Sequence, residues 1–208
     1  MPVRNTFVRS LHDLGAAAWF GGSLMGALGV NGAAAEVRDP ADRARVAAAG
    51  WAKWTPANAV AIGAHLVGGA GLLVANSDRA KNQSGVTANT VAKMVITGVA
   101  LATTAYSGVL GGKVAQGGGQ PVAGATESLA DTTSEVAAAQ KQLKVLQWVT
   151  PVLTAAIIVL GAQQGEQQRG GQVLAGTGRT LTRRAERTPL DLRCSRKPFV
   201  FRDAFTED

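Results

Sequence analysis

The chain has 208 residues, 46% of them hydrophobic, with a formal net charge of +7 and one cysteine, Cys194. A single thiol excludes an internal disulfide, and with no histidine beside it in sequence it makes no metal cluster. The basic excess gathers beyond residue 168, where it reads as a topology signal rather than as a case for nucleic acid.

Four windows contain no Asp, Glu, Lys or Arg: Leu14–Ala35, Trp54–Ser77, Met94–Gly112 and Val145–Gly165. A helix needs about 20 residues to cross roughly 30 Å of hydrocarbon. A surface helix of a soluble bundle would place charges every turn or two. The windows predict an all-α membrane protein with four transmembrane helices, over about 14–35, 55–77, 92–114 and 145–166, packed as an antiparallel bundle. Residues 1–13 precede it and a basic tail, 169–208, follows. The second and third windows are the least hydrophobic, so two or three true spans is the alternative.

Arg4, Arg9, an apolar run and Ala33-Ala34-Ala35 have some of the marks of a cleaved signal peptide. His12 and Asp13 just before the run, and the length of the run, favour an uncleaved first helix. Within it Ala18, Gly22, Gly26 and Val30 make a small-residue stripe with Gly22 and Gly26 as a GxxxG pair, the pattern that lets helix backbones approach closely.

The loop that follows opens "RDPADRARVAAAGWAKW". Asp39 before Pro40 is an N-cap and first-turn pair, which predicts a short helix from about Pro40 to Trp54. Trp51 and Trp54 suit either headgroup depth or packing against neighbouring helices, and the sequence leaves both open.

The second span holds "AIGAHLVGGAGLLVA", with His65 in an otherwise uncharged run. A polar connection, "NSDRAKNQSGVTANT", leads to the third, where Ala100, Thr104, Gly108 and Gly112 make a second small-residue stripe. "GGKVAQGGGQPVAGAT" reads as the most flexible segment. It is no phosphate loop, since Ser107 and Val114 stand where that motif needs Gly and Ser or Thr.

In the fourth, Thr132 and Glu135 have capping-box spacing. Val136, Ala139, Leu143, Leu146 and Thr150 form a packing stripe ahead of the membrane. From Thr133 to Gln168 the helix would run about 54 Å, leaving its first third as a projecting stalk. Pro151 inside it predicts a kink. In the tail, Arg179, Arg183, Arg184 and Arg187 suit anionic lipid, "KPFVFRDAF" suits a docking segment, and the composition suits disorder.

With both termini on one side, that side carries Arg4, Arg9, Arg79, Lys81, Lys93 and the basic tail. The other carries Arg38, Arg43, Arg45, Lys53, Lys113, Lys141 and Lys144. The excess predicts cytoplasmic termini in the cell (inner) membrane.

Matching window midpoints places Met25, His65, Thr103 and Thr154 at one depth, with Ser23 and Thr104 within a turn. A buried neutral imidazole needs partners, so the expected polar cluster is His65, Thr103, Thr104, Thr154 and Ser23, acting as a register pin. A b-type haem would need a second axial ligand. On this depth scale Met25 qualifies, while His12 lies about 15 Å away. No paired metal spacing and no nucleophile–base set appears, so neither an enzyme nor a cofactor is expected, and no window holds an Asp or Glu, which counts against an ordinary proton-coupled carrier.

"LHDLGAAAWFGGSLMGALGVN" and "QKQLKVLQWVTPVLTAAIIVLGAQQGEQQR" resemble the opening and closing helices of small actinobacterial integral membrane proteins. The resemblance covers roughly Leu11 to Arg169 and implies a four-helix inner-membrane protein without assigning an activity. "LHDLGAAAWFGG" also resembles copper-resistance D-type membrane domains, whose chemistry would call for histidines or methionines that these spans lack.

The leading expectation is a non-catalytic membrane accessory or assembly protein that packs, through its small-residue stripes, against other membrane subunits or its own copies. The second is a small transporter or channel-like carrier in which His65 gates a polar path. The third is a haem-binding membrane protein.

Overall fold

The structure, a computed structural model, describes residues 5–75 and 84–167. The basic tail with Cys194, the residues before Asn5 and the connection carrying Arg79 and Lys81 lie outside the described residues. Helix α1 (Thr6–Met25) continues through a π-helical turn, Gly26–Val30, into α2 (Asn31–Ala35). Then come α3 (Pro40–Ala75), α4 (Ser84–Gln116) and α5 (Ser134–Gln167). Among the described residues the chain is all-α, relieved by one isolated bridge between Val122 and Ser128.

Among the described residues three helices are long and apolar enough to cross a membrane: Pro40–Ala75, Thr87–Gln116 and Ser134–Gln163. The first rod is not among them. Arg9, His12 and Asp13 occupy its opening turns, and the π turn divides its apolar part.

The expected cap of α3 forms. Asp39 Oδ1 accepts the N–H of Ala41 at 3.0 Å, and Pro40 occupies the first turn, where no N–H is missed. The expected short interfacial helix, however, is no separate element. Its residues are the opening turns of α3, which passes through Pro56 without interruption. Packing against the first rod overrides the local break signal of Thr55-Pro56.

The closest helix pair is α1 with α3, and their contacts run in reverse sequence order. A Cβ on Gly15 would lie 2.5 Å from the Ala61 carbonyl, and one on Gly68 would meet the His12 backbone. Farther along, the faces of Gly22 and Gly26 are filled by the indoles of Trp54 and Trp51, and Gly71 receives Val8. In lipid, association rests on such close packing and on hydrogen bonds rather than on exclusion of water. The GxxxG pair of the first rod is therefore a seat for two tryptophans of the same chain.

Helices α4 and α5 complete two cores. Ala16, Trp19, Ala100 and Ile157 form one, with Ile62, Ile96 and Leu153 around it. Ala44, Leu110, Val114, Val122, Val136 and Ala139 form the other, with Leu143 and Leu146 against it. The stripe read from α5 is thus an inward face and no projecting stalk. Pro151 is buried within an unbroken α5.

The glycine-rich loop 117–133 closes over this second core and is tied down, contrary to the flexibility its composition suggests. Val122 is fully buried and Ala125 and Thr126 nearly so. Arg43 donates to the Val122 and Ala123 carbonyls and to Val37 O. The fully buried Gln140 donates to Gly124 O at 2.9 Å and to Ala125 O at 3.3 Å. Only Gly119 needs a left-handed backbone, with φ +82°. The capping box does not form. The Thr132 hydroxyl instead accepts from Leu129 N and donates to Pro121 O, while Glu135 reaches Lys113 at 3.6 Å.

Candidate functional site: paired histidines at one end of the bundle

His12 reaches the bundle interior because α1 meets α3 at glycines. With no side chain at Gly68, the His12 backbone lies directly on α3, and its imidazole extends past Gly69. With none at Gly15, His65 approaches α1 equally closely. The two rings meet with centroids 4.2 Å apart and planes tilted by 39°. Trp19 presents its edge to His65 at 6.2 Å.

Hydrogen bonds orient the pair. His12 Nδ1 lies 2.8 Å from Asp13 Oδ1, so that nitrogen carries the proton and donates to the carboxylate. His65 Nδ1 lies 3.2 Å from the His12 carbonyl and likewise donates. This leaves His65 Nε2 as the acceptor, facing the Thr97 hydroxyl at 3.5 Å. The series runs from an Asp13 side chain that is 58% exposed to a His65 that is 3% exposed. It joins an exposed carboxylate to a buried imidazole by way of the His12 main-chain carbonyl.

The depth assignment made from window midpoints is overturned. Gly15 and His65 share a level, so Met25, ten residues farther along the first rod, stands about 15 Å away. Met25 is 62% exposed, and its thioether lies against Gly29 of its own turn. His12, excluded on the midpoint scale, is in contact with His65. The reason is that backbone contact at Gly15 and Gly68 sets the register of α1 and α3, and charge-free windows do not mark it.

The expected polar cluster is also dispersed. Ser23 bonds back to Trp19 O and Phe20 O, Thr103 to Val99 O, and Thr154 to Thr150 O and Pro151 O. Hydroxyls within helices commonly satisfy themselves in this way. Thr104 accepts from Trp19 Nε1 at 3.2 Å. Of the expected partners none binds His65; Thr97, nearly two helical turns before Thr103, does. Of the four packing glycines, Gly22 and Gly26 are filled from within the chain, whereas Gly108 and Gly112 meet nothing within 4 Å.

A haem between His12 and His65 does not fit this geometry. An iron ligated from both sides holds its imidazoles on opposite faces of a porphyrin, and rings in contact leave no room for one. Among the described residues no group of three His, Cys, Asp or Glu side chains is placed to hold a metal ion.

A second polar junction lies at the loop end. The π turn aims Asn31 inward, where Oδ1 accepts from Trp51 Nε1 at 2.9 Å and Nδ2 donates to Gln147 Oε1 at 2.9 Å. One amide thereby joins the first rod, α3 and α5. π-Helical turns are frequent at functional sites, and here the turn builds a three-helix junction.

Sequence reasoning missed Gly15, Trp19 and Thr97, and read Gly68 as room for a porphyrin rather than as the seat of the His12 backbone. Their signal was helical spacing: Ala61, His65 and Gly68 share one face of α3. Comparison with protein-family models, with curated proteins and with solved structures finds no match.

Proposed function

We propose that the chain is a multi-pass protein of the cell membrane, a small proton-handling carrier whose His12–His65 pair takes up protons from the cytoplasm. In this reading the described helices form an antiparallel four-helix bundle, bent at Pro151, with both termini cytoplasmic and lipid around it. The observation that carries it is the contact of the two imidazoles, with His12 held by the Asp13 carboxylate and His65 by the His12 main-chain carbonyl and the Thr97 hydroxyl. Imidazole is the side chain whose ordinary charge change falls near neutral pH. Two imidazolium rings at 4.2 Å would repel by about 4 kcal/mol at an effective dielectric near 20. The pair therefore holds at most one proton at a time, with Asp13 as the balancing charge. Thr97 can reverse its hydroxyl, donating to a neutral ring or accepting from a protonated one.

Proteoliposomes test this reading. Vesicles containing the protein and an entrapped pH dye should acidify under an inside-negative potential faster than protein-free vesicles, and His65→Leu should remove the difference. Equal rates with and without the wild-type protein would overturn it.

A second reading, a packing component of a membrane assembly, draws on one observation. Gly98, Gly108, Gly111 and Gly112 of α4 meet nothing within 4 Å. Crosslinking in native membranes tests it, and a strictly monomeric product counts against it. The basic tail and its anionic-lipid contact belong to the same sequence-based reading of topology.

A further inference from the structure

The two histidines and Asp13 do not make up the whole of this end of the bundle. On α4, Lys93 lies one turn before Thr97, whose hydroxyl faces His65, and two turns before the fully buried Ala100. Positions 93, 97 and 100 share one helical face, so the partly buried Lys93 belongs to the side of α4 turned toward the pair. The charges of Lys93 and Asp13 act on both imidazoles and on each other. Arg9, one turn before His12 on α1, acts on His12 and on Lys93.

Taken helix by helix, α1 supplies Arg9, His12 and Asp13 to this cluster, α3 supplies His65, and α4 supplies Lys93. The titratable side chains described on α5, Glu135, Lys141 and Lys144, stand in its first third, toward loop 117–133. Among the described side chains Asp13 is therefore the one carboxylate here, and more than one cation draws on it. Burial holds the His12 imidazole below its ordinary value; Lys93 and Arg9 add to that, and Asp13 opposes it. The two fixed cations differ in kind. Arginine is always charged and rigid at its planar head, whereas lysine is a point charge on a flexible four-carbon stem. Lys93 can thus change its distance from Asp13 with little else moving.

We propose that Lys93 and the imidazolium of His12 compete for the Asp13 carboxylate, so that Lys93 decides whether the pair keeps its proton. His12 Nδ1 already donates to Asp13, so the exchanged proton sits on Nε2. With the ammonium drawn to Asp13, the pair loses its balancing charge and His12 Nε2 gives its proton to water. With the ammonium withdrawn, Nε2 takes a proton from water and Asp13 balances it. One N–H bond forms or breaks, and no further reactant is needed. Lys93 is in this sense a positioning residue, acting through Asp13. The competition stands on the placement of the charges; its use, releasing a carried proton, rests on the carrier reading above.

Nitrogen NMR of the two histidines, in the full chain in lipid bilayers and titrated across neutral pH, tests it. Lys93→Gln should move the His12 midpoint upward by about one pH unit, a tenfold gain in proton affinity. Lys93→Arg, which keeps the charge, should leave the midpoint near wild type, and Asp13→Asn should move it downward. In the Asp13→Asn background Lys93→Gln should have a clearly smaller effect, because no carboxylate is left to be freed. Equal shifts in both backgrounds would reduce Lys93 to repulsion through space and overturn the proposal. An unmoved midpoint in Lys93→Gln would overturn it as well. Should that variant fail to fold, Lys93→Met carries the same expectation. In vesicles, the pH at which uptake is fastest should move upward with Lys93→Gln; an unmoved profile would overturn the release role. A His12 midpoint that follows Lys93 in a protein that moves no protons would leave the competition standing and remove the carrier reading.

Discussion

Gly15 and His65 touch backbone to backbone: a Cβ on Gly15 would lie 2.5 Å from the His65 amide nitrogen. That contact fixes the register of α1 against α3, and the register places His12 on His65. The site is thus a consequence of two absent side chains, at Gly15 and Gly68.

Substitution at these glycines should be costly. Gly15→Ala and Gly68→Ala would each force two backbones apart and lower stability by about 1–3 kcal/mol. Gly108→Ala and Gly112→Ala, with open space before them, should leave stability unchanged or raise it by up to about 1 kcal/mol, since alanine favours the helix. Thermal unfolding in detergent, followed by the loss of the folded size-exclusion peak, ranks all four.

How far the sequence foretold this is clearest at α3. Asp39 and Pro40 announced its start because capping chemistry is local. Its opening turns were read as a separate short helix because the charge-free window beginning at Trp54 was taken as the next element, and only the seats at Gly22 and Gly26 show why the helix continues. The polar cluster failed for a related reason. Depth was taken from charge-free windows, whereas register depends on contacts between residues far apart in sequence. Loop 117–133 was opaque in the same sense: its order depends on Arg43 and Gln140, neither of which is local to it. The inward stripe of α5, read from heptad spacing alone, was legible.

Arg43→Ala and Gln140→Leu should loosen loop 117–133. Gln140→Leu leaves Gly124 O and Ala125 O without their donor, a cost of about 1–3 kcal/mol. Hydrogen exchange of the amides of Ala123 and Gly124, which are bonded to Glu127 O, should accelerate in both variants, with helix amides near His65 unaffected.

Asn31→Ala removes the hub of the three-helix junction, leaving the Trp51 indole N–H without its acceptor and Gln147 Oε1 without its donor. A loss of about 1–2 kcal/mol is expected, together with a change in Trp51 fluorescence. Asn31→Gln, longer by one methylene, should not restore it.

Asp13→Asn separates charge from fold. The Asp13 side chain is more than half exposed, so stability should change by less than about 0.5 kcal/mol. Proton uptake into vesicles should nevertheless slow, since the balancing charge of the pair is gone. Unchanged uptake would remove Asp13 from the account.

The chain has two histidines, so labelling that residue type alone with ¹³C and ¹⁵N isolates the pair. A through-space correlation experiment on such protein in lipid bilayers measures the central relationship directly. Rings in contact, with centroids 4.2 Å apart, predict strong cross-peaks between the two imidazoles at short mixing times. Two intra-residue patterns with no cross-peak between them, as rings about 15 Å apart in depth would give, would contradict the account.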